Sequence, residues 1–524
     1  MKAISAKSVL GFGVFVLLVI AARCHNFEQV FVQGRVYFVD ADCYSRMTRV
    51  RMILEAPGSI IRHHDFENYP RGITPHTTAP LDYLIAATKA VVDAGVCVAN
   101  RLSSRIPQFD TLDLAGAFIS PLLGIAAGVF LWFWSRRIRY RAMLLIVYAI
   151  SPILVHGTAL GRPDHQSLLI FLVALALGSE WSMLVRAART WSIVGGLAWG
   201  FALWVSLYEP AVLLVAFLLF ASLLEPRDFW SRERVWSFAC LGVVLLLALI
   251  AEGWRIKPPD PLVSKYFGAW RREIGEMASL DAFSTLLVCW LGLGIVLAPV
   301  FLLLRSVRER QFAIWLPMLI ATYALTLYQM RWGYFLALVF VMSLPRAVEL
   351  VRNGVIAWTI FLASLWPLLG EWDQTLFPDQ RRADQMAEEK TDRILLRDVA
   401  EHLRGAENLP FLAPWWLSPA LAYWSGQNGV AGSSHESLPG TVDSAGFYLA
   451  EEPQQAREIL FSRGVRRVVA YDPPRVVETS ATLLGRPQPA RALAGVLYFA
   501  PHSVPDFLAL EYANASYKVF DAQP

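Results

Sequence analysis

Charged residues are scarce in this chain. Asp, Glu, Lys and Arg together supply 17% of its 524 residues, against 56% hydrophobic ones. A water-soluble fold of that length carries more charge, and the apolar residues here gather into runs long enough to cross a bilayer core, which takes about 20 residues. The chain reads as a polytopic α-helical membrane protein. Basic residues exceed acidic ones only slightly, for a net charge of +4. No concentrated basic face is visible, so no nucleic acid is expected among the partners. Cysteine is sparse too: Cys24, Cys43, Cys97, Cys240 and Cys289 show no metal-ligand spacing. The first three fall in one expected external loop, which leaves a disulfide open. There is no internal repeat and no low-complexity tract, and many transporters have two related halves.

What is there is a ladder of apolar segments. Lys2 and Lys7 precede an apolar run over 9–22. A cleaved leader is one reading, but Ala21-Ala22-Arg23-Cys24 is a poor cleavage site, so an uncleaved anchor is expected. Further spans are expected at roughly 112–134, 142–160, 167–184, 191–208, 210–224, 236–253, 283–304, 312–329, 333–345 and 354–370, about 11 transmembrane helices in all. Arginines then set the orientation. Arg136, Arg137, Arg139 and Arg141 follow the second span, Arg186 and Arg189 the fourth, and Arg227, Arg232 and Arg234 the sixth. Arg305, Arg308 and Arg310 follow the eighth, and Arg346 and Arg352 the tenth. Every second loop is basic, so these loops and the N-terminus are expected in the cytoplasm of a plasma (inner) membrane. Residues 1–370 would form the transmembrane domain, with external loops 24–111 and 254–282. Residues 371–524 would form a small external, periplasmic α/β-type domain. Its expected elements are a charged helix over 379–405 with Leu395, Leu396, Val399 and Leu403 at helical spacing, a helix at Pro453–Arg463 and a strand at Arg467–Tyr471.

With that topology four polar clusters fall on one side of the membrane. Asp40 and Asp42, two residues apart, can both reach one divalent ion from a turn, or can simply be solvated. Arg46, Thr48 and Arg49 follow, types suited to phosphate or sugar contacts. Gly161-Arg162-Pro163-Asp164-His165-Gln166 lies between two apolar spans, where polar groups tend to be functional. Glu276 sits in an external loop with Arg271, Arg272 and Glu273, a set that taken alone reads as a solvated face. Arg331, in Gln329-Met330-Arg331-Trp332-Gly333-Tyr334, interrupts a nearly continuous apolar stretch, so it either snorkels or meets an anion. A guanidinium matches phosphate oxygens bidentately. In the first loop His63-His64-Asp65 offers zinc-type ligands or substrate contacts. In the tail, Trp415 and Trp416 offer adjacent indoles, either core or a stacking platform for a sugar or peptide acceptor.

Taken together, the order and spacing of these clusters resemble the catalytic subunit of oligosaccharyltransferases, membrane glycosyltransferases of the GT-C type, in a divergent bacterial-type form. Asp40, Tyr44 and Arg49 match that family's Asp, Tyr and Arg of the first external loop, with Asp42 as the competing acid. Asp164 takes the first acidic place of its second motif, and Gln166 stands where the second acid is expected. Ile274-Gly275-Glu276 looks like its Ile-x-Glu loop, and Arg331-Trp332-Gly333-Tyr334 like its lipid-pyrophosphate arginine. Trp415-Trp416-Leu417 looks like the start of its Trp-Trp-Asp signature, but Leu417 cannot accept the hydrogen bonds by which that Asp reads an acceptor sequon.

The resemblance implies metal-dependent, inverting glycosyl transfer from a polyprenyl-linked glycan donor to a protein or other glycan acceptor. Asp40, Asp164, Glu276, His165 and Gln166 would hold Mg or Mn; Asp40, Glu276 and Asp42 would act at the reacting centre. Arg331, Arg49 and Arg46 would bind donor phosphate, and Trp415 and Trp416 the acceptor, with membrane lipid as a further partner. The rival within enzymes takes a polyprenyl-monophosphate sugar to a lipid, polysaccharide or protein hydroxyl. The rivals outside are a lipid-glycan transporter or flippase and an inactive glycan-binding relative.

Overall fold

The computed structural model describes residues 6–76, 79–102, 109–253, 261–308, 313–405 and 407–523. Lys2, Arg310 and parts of both expected external loops (77–78, 103–108 and 254–260) lie outside the described residues. Two compact units emerge: Met1–Val36, Thr77–Glu252 and Glu276–Asp379 form the first, and Tyr37–His76, Gly253–Gly275 and Gln380–Pro524 the second.

The first unit is a helical bundle. Its helix Gly333–Val348 is buried on almost every face, as an all-apolar sequence requires when it sits inside protein. Around it pack Arg141–Ile150, Pro152–His156, His165–Val185, Gly294–Arg308 and Trp315–Tyr328. Small residues let other helices close in: a Cβ on Gly196 would lie 2.2 Å from the Ser237 carbonyl oxygen, and one on Gly200 would strike Val244. Those two glycines, one helical turn apart on Arg189–Val205, are why that helix lies directly on Arg234–Glu252. The N-terminal helix Ala6–Arg23 belongs to the bundle as well. Its last residue, Arg23, is fully buried and donates to the carbonyls of Ala149 (3.1 Å) and Tyr148 (3.3 Å).

Against the expected count of about 11 spans, among the described residues four helices are long and apolar enough to cross a membrane (Ala6–Arg23, Thr111–Arg137, His165–Val185 and Arg234–Glu252), or six if two bent pairs are each one span. Arg189–Val205, Tyr208–Leu224 and Trp315–Tyr328 are unbroken but shorter, at 17, 17 and 14 residues. Local chemistry divides three further expected segments. The 142–160 segment divides at Ser151, whose extended backbone precedes Pro152. The 283–304 segment bends by 77° between Thr285–Leu291 and Gly294–Arg305. Gly292 at that break has φ +74°, and a Cβ there would lie 2.5 Å from the Ser364 carbonyl oxygen. The 354–370 segment bends by 43° beside Leu365, ahead of Pro367.

The second unit is α/β. Phe411–Leu412 runs parallel to Arg467–Tyr471, which pairs antiparallel with Tyr517–Ala522, itself antiparallel to Leu508–Ala513. Val468, Ala470 and Phe520 supply one buried face, packed on Phe447, Tyr448, Leu460 and Val476 from the flanking helices. The helices at Gln380–Leu403 and Pro453–Arg463 and the strand at Arg467–Tyr471 coincide with the segments read from the sequence, with Leu396, Val399 and Leu403 buried. Helix Ala41–Glu55 belongs to this unit and packs against Ser418–Ser425. All five cysteines are unbonded, so the disulfide left open does not form.

Candidate active site

In the first unit, Asp164, His165, Gln166, Glu276 and Arg331 come from three separate segments. Asp164 caps the N-terminus of His165–Val185: its carboxylate accepts from the His165 backbone N–H at 2.6 Å, and the same oxygen lies 2.6 Å from His165 Nδ1. Gln166 is fully buried one residue into the helix, and its Oε1 has no hydrogen-bond partner among the described residues. Arg331 stands in a single turn, Met330–Trp332, that joins Trp315–Tyr328 to the central helix. It neither snorkels nor stands open. Its Nη2 lies 2.5 Å from Glu209 Oε1, a fully buried carboxylate held by Ser206 at 2.6 Å. Glu276 and Asp164 also act on the Arg331 charge.

Glu276 belongs to a closed ring of hydrogen bonds. Arg162 Nη2 donates to Glu276 Oε1 at 2.5 Å, and Arg162 Nη1 lies 3.0 Å from His156 Nε2. His156 Nδ1 lies 2.9 Å from the Tyr334 hydroxyl, which donates back to Glu276 Oε1 at 3.3 Å. A guanidinium can only donate, so His156 Nε2 is the acceptor and its Nδ1–H donates to Tyr334. Donation therefore runs from Arg162 to Glu276 by two arms, one direct and one through His156 and Tyr334, and both fix the Glu276 carboxylate.

Three carboxylates (Asp164, Glu209, Glu276) face two guanidiniums (Arg162, Arg331) here, an excess of one negative charge. That excess, with the orphaned Gln166 oxygen, fits a hard divalent cation such as Mg or Mn in donor type. The donors are not drawn together for one: among the described residues, ligand atoms of three His, Cys, Asp or Glu side chains converge to within 4.8 Å only at His76, His435 and Glu436.

The second unit holds the other expected residues. Asp40 is the N-cap of Ala41–Glu55, accepting from Cys43 N–H at 3.0 Å, and Asp42 lies exposed in its first turn. Arg46 and Arg49 are not solvated loop residues; both are buried on that helix. Thr48 is turned back on its own helix, bonding the Tyr44 carbonyl at 3.0 Å. One turn inside, Ser45 donates to Glu67, a buried carboxyl that rests against Gly432, where a Cβ would come within 2.7 Å of its carboxyl carbon. Burial pushes Glu67 up to about 7, against the opposing pull of Ser45 and Arg49. His63, His64 and Asp65 do not converge as zinc ligands: His64 is buried and stacks on Phe66 at 3.8 Å, and His63 pairs with Asp65 at the surface. Trp415 and Trp416 are half-buried, edge to face at 5.7 Å, beside a recess carrying the hydroxyl residues Thr441, Ser444, Thr479 and Ser480. Leu417 points into the core.

No family model matches the chain. Over 187 residues it is 25% identical to dolichyl-phosphooligosaccharide-protein glycotransferase 1 of Archaeoglobus fulgidus. The solved oligosaccharyltransferase AglB of that organism, in complex with an inhibitory peptide and a dolichol-phosphate, matches at TM-score 0.66 and 16% identity, over 89% of this chain and 69% of its own. ArnT from Cupriavidus metallidurans bound to undecaprenyl phosphate matches at TM-score 0.59 and 13% identity, over 99% and 100%. The chain has the fold of the oligosaccharyltransferase-like GT-C glycosyltransferases. The curated relative is matched over 28% of its length and 35% of this chain, so the sequence likeness is confined to one stretch while the GT-C fold runs the whole length.

Within this GT-C chain three site residues escaped the sequence reading. Glu209 stands alone at the head of an apolar helix, and an ionisable residue there was itself the signal. His156 was hidden inside an expected span. Arg162 was visible in its motif but carried no assigned partner.

Proposed function

We propose that this protein is a membrane glycosyltransferase that moves a glycan from a polyprenyl-(pyro)phosphate donor to an acceptor on the outer face of the membrane. The carrying observation is the acid and arginine cluster of Asp164, Glu276 and Arg331 in a chain that follows the fold of AglB and ArnT. Ionisable groups gathered within an apolar bundle pair with one another and mark functional sites. Arg331 would meet the leaving phosphate, where negative charge grows as the anomeric bond breaks. Asp40, Asp164, Gln166 and Glu276, with Asp42 and His165 assisting, would hold Mg or Mn, which when bound offsets phosphate charge. Glu276, oriented by Arg162 and Tyr334, and Asp40 would direct the acceptor nucleophile for inversion. Arg46 and Arg49 are assigned to donor phosphate by the same resemblance, and Trp415 and Trp416 to the acceptor. The protein would be multi-pass in a plasma (inner) membrane, with the N-terminus cytoplasmic and the α/β unit external.

One observation favours a second reading, a polyprenyl-monophosphate sugar donor with a lipid, polysaccharide or protein hydroxyl as acceptor. Leu417 stands where a sequon-reading Asp is expected, and ArnT matches over both full lengths. The test incubates purified protein and Mn with labelled polyprenyl-pyrophosphate oligosaccharide or monophosphate-linked sugar, with and without acceptor extract. Label release that stops in EDTA and in Asp40→Asn is expected, and the active donor separates the two readings. Inertness toward both donors would overturn transfer in favour of a transport or glycan-binding role.

A further inference from the structure

Among the described residues, the clearest convergence of metal-ligating side chains lies outside the cluster just assigned. His76 closes the 37–76 segment of the second unit. His435 and Glu436 sit side by side in a single turn, His435–Ser437, that leads into helix Leu438–Leu449. His76 Nδ1 lies 3.0 Å from both carboxylate oxygens of Glu436, and His435 Nδ1 lies 3.5 Å from Oε2. The two imidazole rings are 4.5 Å apart. We propose that His76, His435 and Glu436 form a transition-metal site of the zinc class, distinct from the Mg or Mn site and clipping the 37–76 segment to the α/β domain.

Geometry and donor type both point that way. A tetrahedral zinc ion bound at about 2.0–2.1 Å holds its ligand atoms roughly 3.3 Å apart. The measured separations of 3.0 and 3.5 Å bracket that edge. An ordinary ion pair would occupy one imidazole with one carboxylate; here two imidazole nitrogens turn to the same carboxylate. One divalent cation satisfies all three groups at once. Two imidazoles and a carboxylate suit Zn, whereas Mg requires oxygen donors, so the two sites select different metals. Phe267 packs its ring edge-on to His435 at 6.2 Å, an apolar flank for the site. Three protein ligands leave a fourth position for water. The clip has a structural consequence. Two ligands come from the α/β domain and one from the segment that carries Asp40 and Asp42, so binding of the ion to the folded form alone stabilises their union.

The proposal stands apart from glycosyl transfer and can be tested without it. Full-length protein in detergent, stripped with chelator and dialysed against buffered zinc, should retain one equivalent by elemental analysis and melt at a higher temperature than the stripped form. His76→Ala and Glu436→Gln should each weaken retention at least tenfold, while Asp164→Asn should keep the zinc. Because either ligand deletion could disturb the fold, His76→Cys provides an independent reading. Loaded with cobalt, it should show a thiolate-to-cobalt charge-transfer band that the parent protein lacks. No retained zinc, retention indifferent to His76→Ala, or a cobalt-loaded His76→Cys without that band would each overturn the site.

Discussion

In the first unit each buried guanidinium at the candidate site lies on a carboxylate: Arg331 on Glu209, Arg162 on Glu276. In the second unit the donors gather around one carboxylate, Glu436, while another, Glu67, is buried among hydroxyls. The difference follows from solvent. Apolar surroundings permit buried charge only when it is paired, so both guanidiniums of the bundle site are already held by carboxylates, Asp164 remains as the extra acid, and a phosphate must displace or join one of the pairs. A domain built around a sheet can leave imidazoles at its surface, where water supports them until a cation arrives. The paired arrangement is preorganised for an anionic ligand; the convergent one is preorganised for a cation.

The largest expected effect breaks the pairing. Arg331→Met should cost about 3–5 kcal/mol, because Glu209 is left charged and buried without its partner. It should also lower glycan release by a factor of about 100 to 1,000, the scale for losing one donor to developing charge. Combining it with Glu209→Gln should restore thermal stability in detergent but not activity. A double variant that regained transfer would show Arg331 to be only a counter-ion for Glu209.

The same contrast explains what the sequence could tell. Asp164 and Arg331 stood out because each punctuates apolar sequence, where a charge has few innocent explanations, whereas Glu276 lay in a charged loop and stood out only by the resemblance. Arg46 and Arg49 read as loop residues, because nothing local announced that the segment after Asp40 would be a buried helix. The pairings themselves, Arg331 with Glu209 and Arg162 with His156, join residues 122 and 6 positions apart and carry no spacing rule. The helix breaks were hidden for a different reason: Pro152 and Gly292 interrupt helices without changing hydropathy. His435-Glu436 attracted no attention because its third partner lies 360 positions earlier than Glu436.

A middle-sized effect concerns the buried carboxyl of the second unit. Glu67 is raised from its ordinary 4.5 to about 7, first by burial. Between those values the folded form holds more protons than the unfolded chain, so stability falls as pH rises through that window and is level above it. At about 1.4 kcal/mol for each pH unit, the loss amounts to ~3–4 kcal/mol at most. Glu67→Gln, which imitates the protonated group, should flatten the melting temperature between pH 4.5 and 7 and raise it at pH 8. A variant as pH-sensitive as the parent would remove Glu67 as the source.

The smallest expected effect sharpens the account of the ring around Glu276. Tyr334→Phe deletes one hydroxyl that accepts from His156 and donates to Glu276. Because His156 is exposed and water can replace the lost acceptor, that should cost only about 0.5–1.5 kcal/mol of stability. If the ring serves only packing, activity at a temperature well below melting should be unchanged. If it aims the Glu276 carboxylate at the acceptor, kcat should fall about tenfold while the KM for the lipid-linked donor stays constant, because the lost interaction matters in the transition state and not in donor binding. Arg162 would still hold Glu276 in place, so the loss should be far smaller than that from Arg331→Met. A change in donor KM alone would move Tyr334 out of the orienting ring and into the donor pocket.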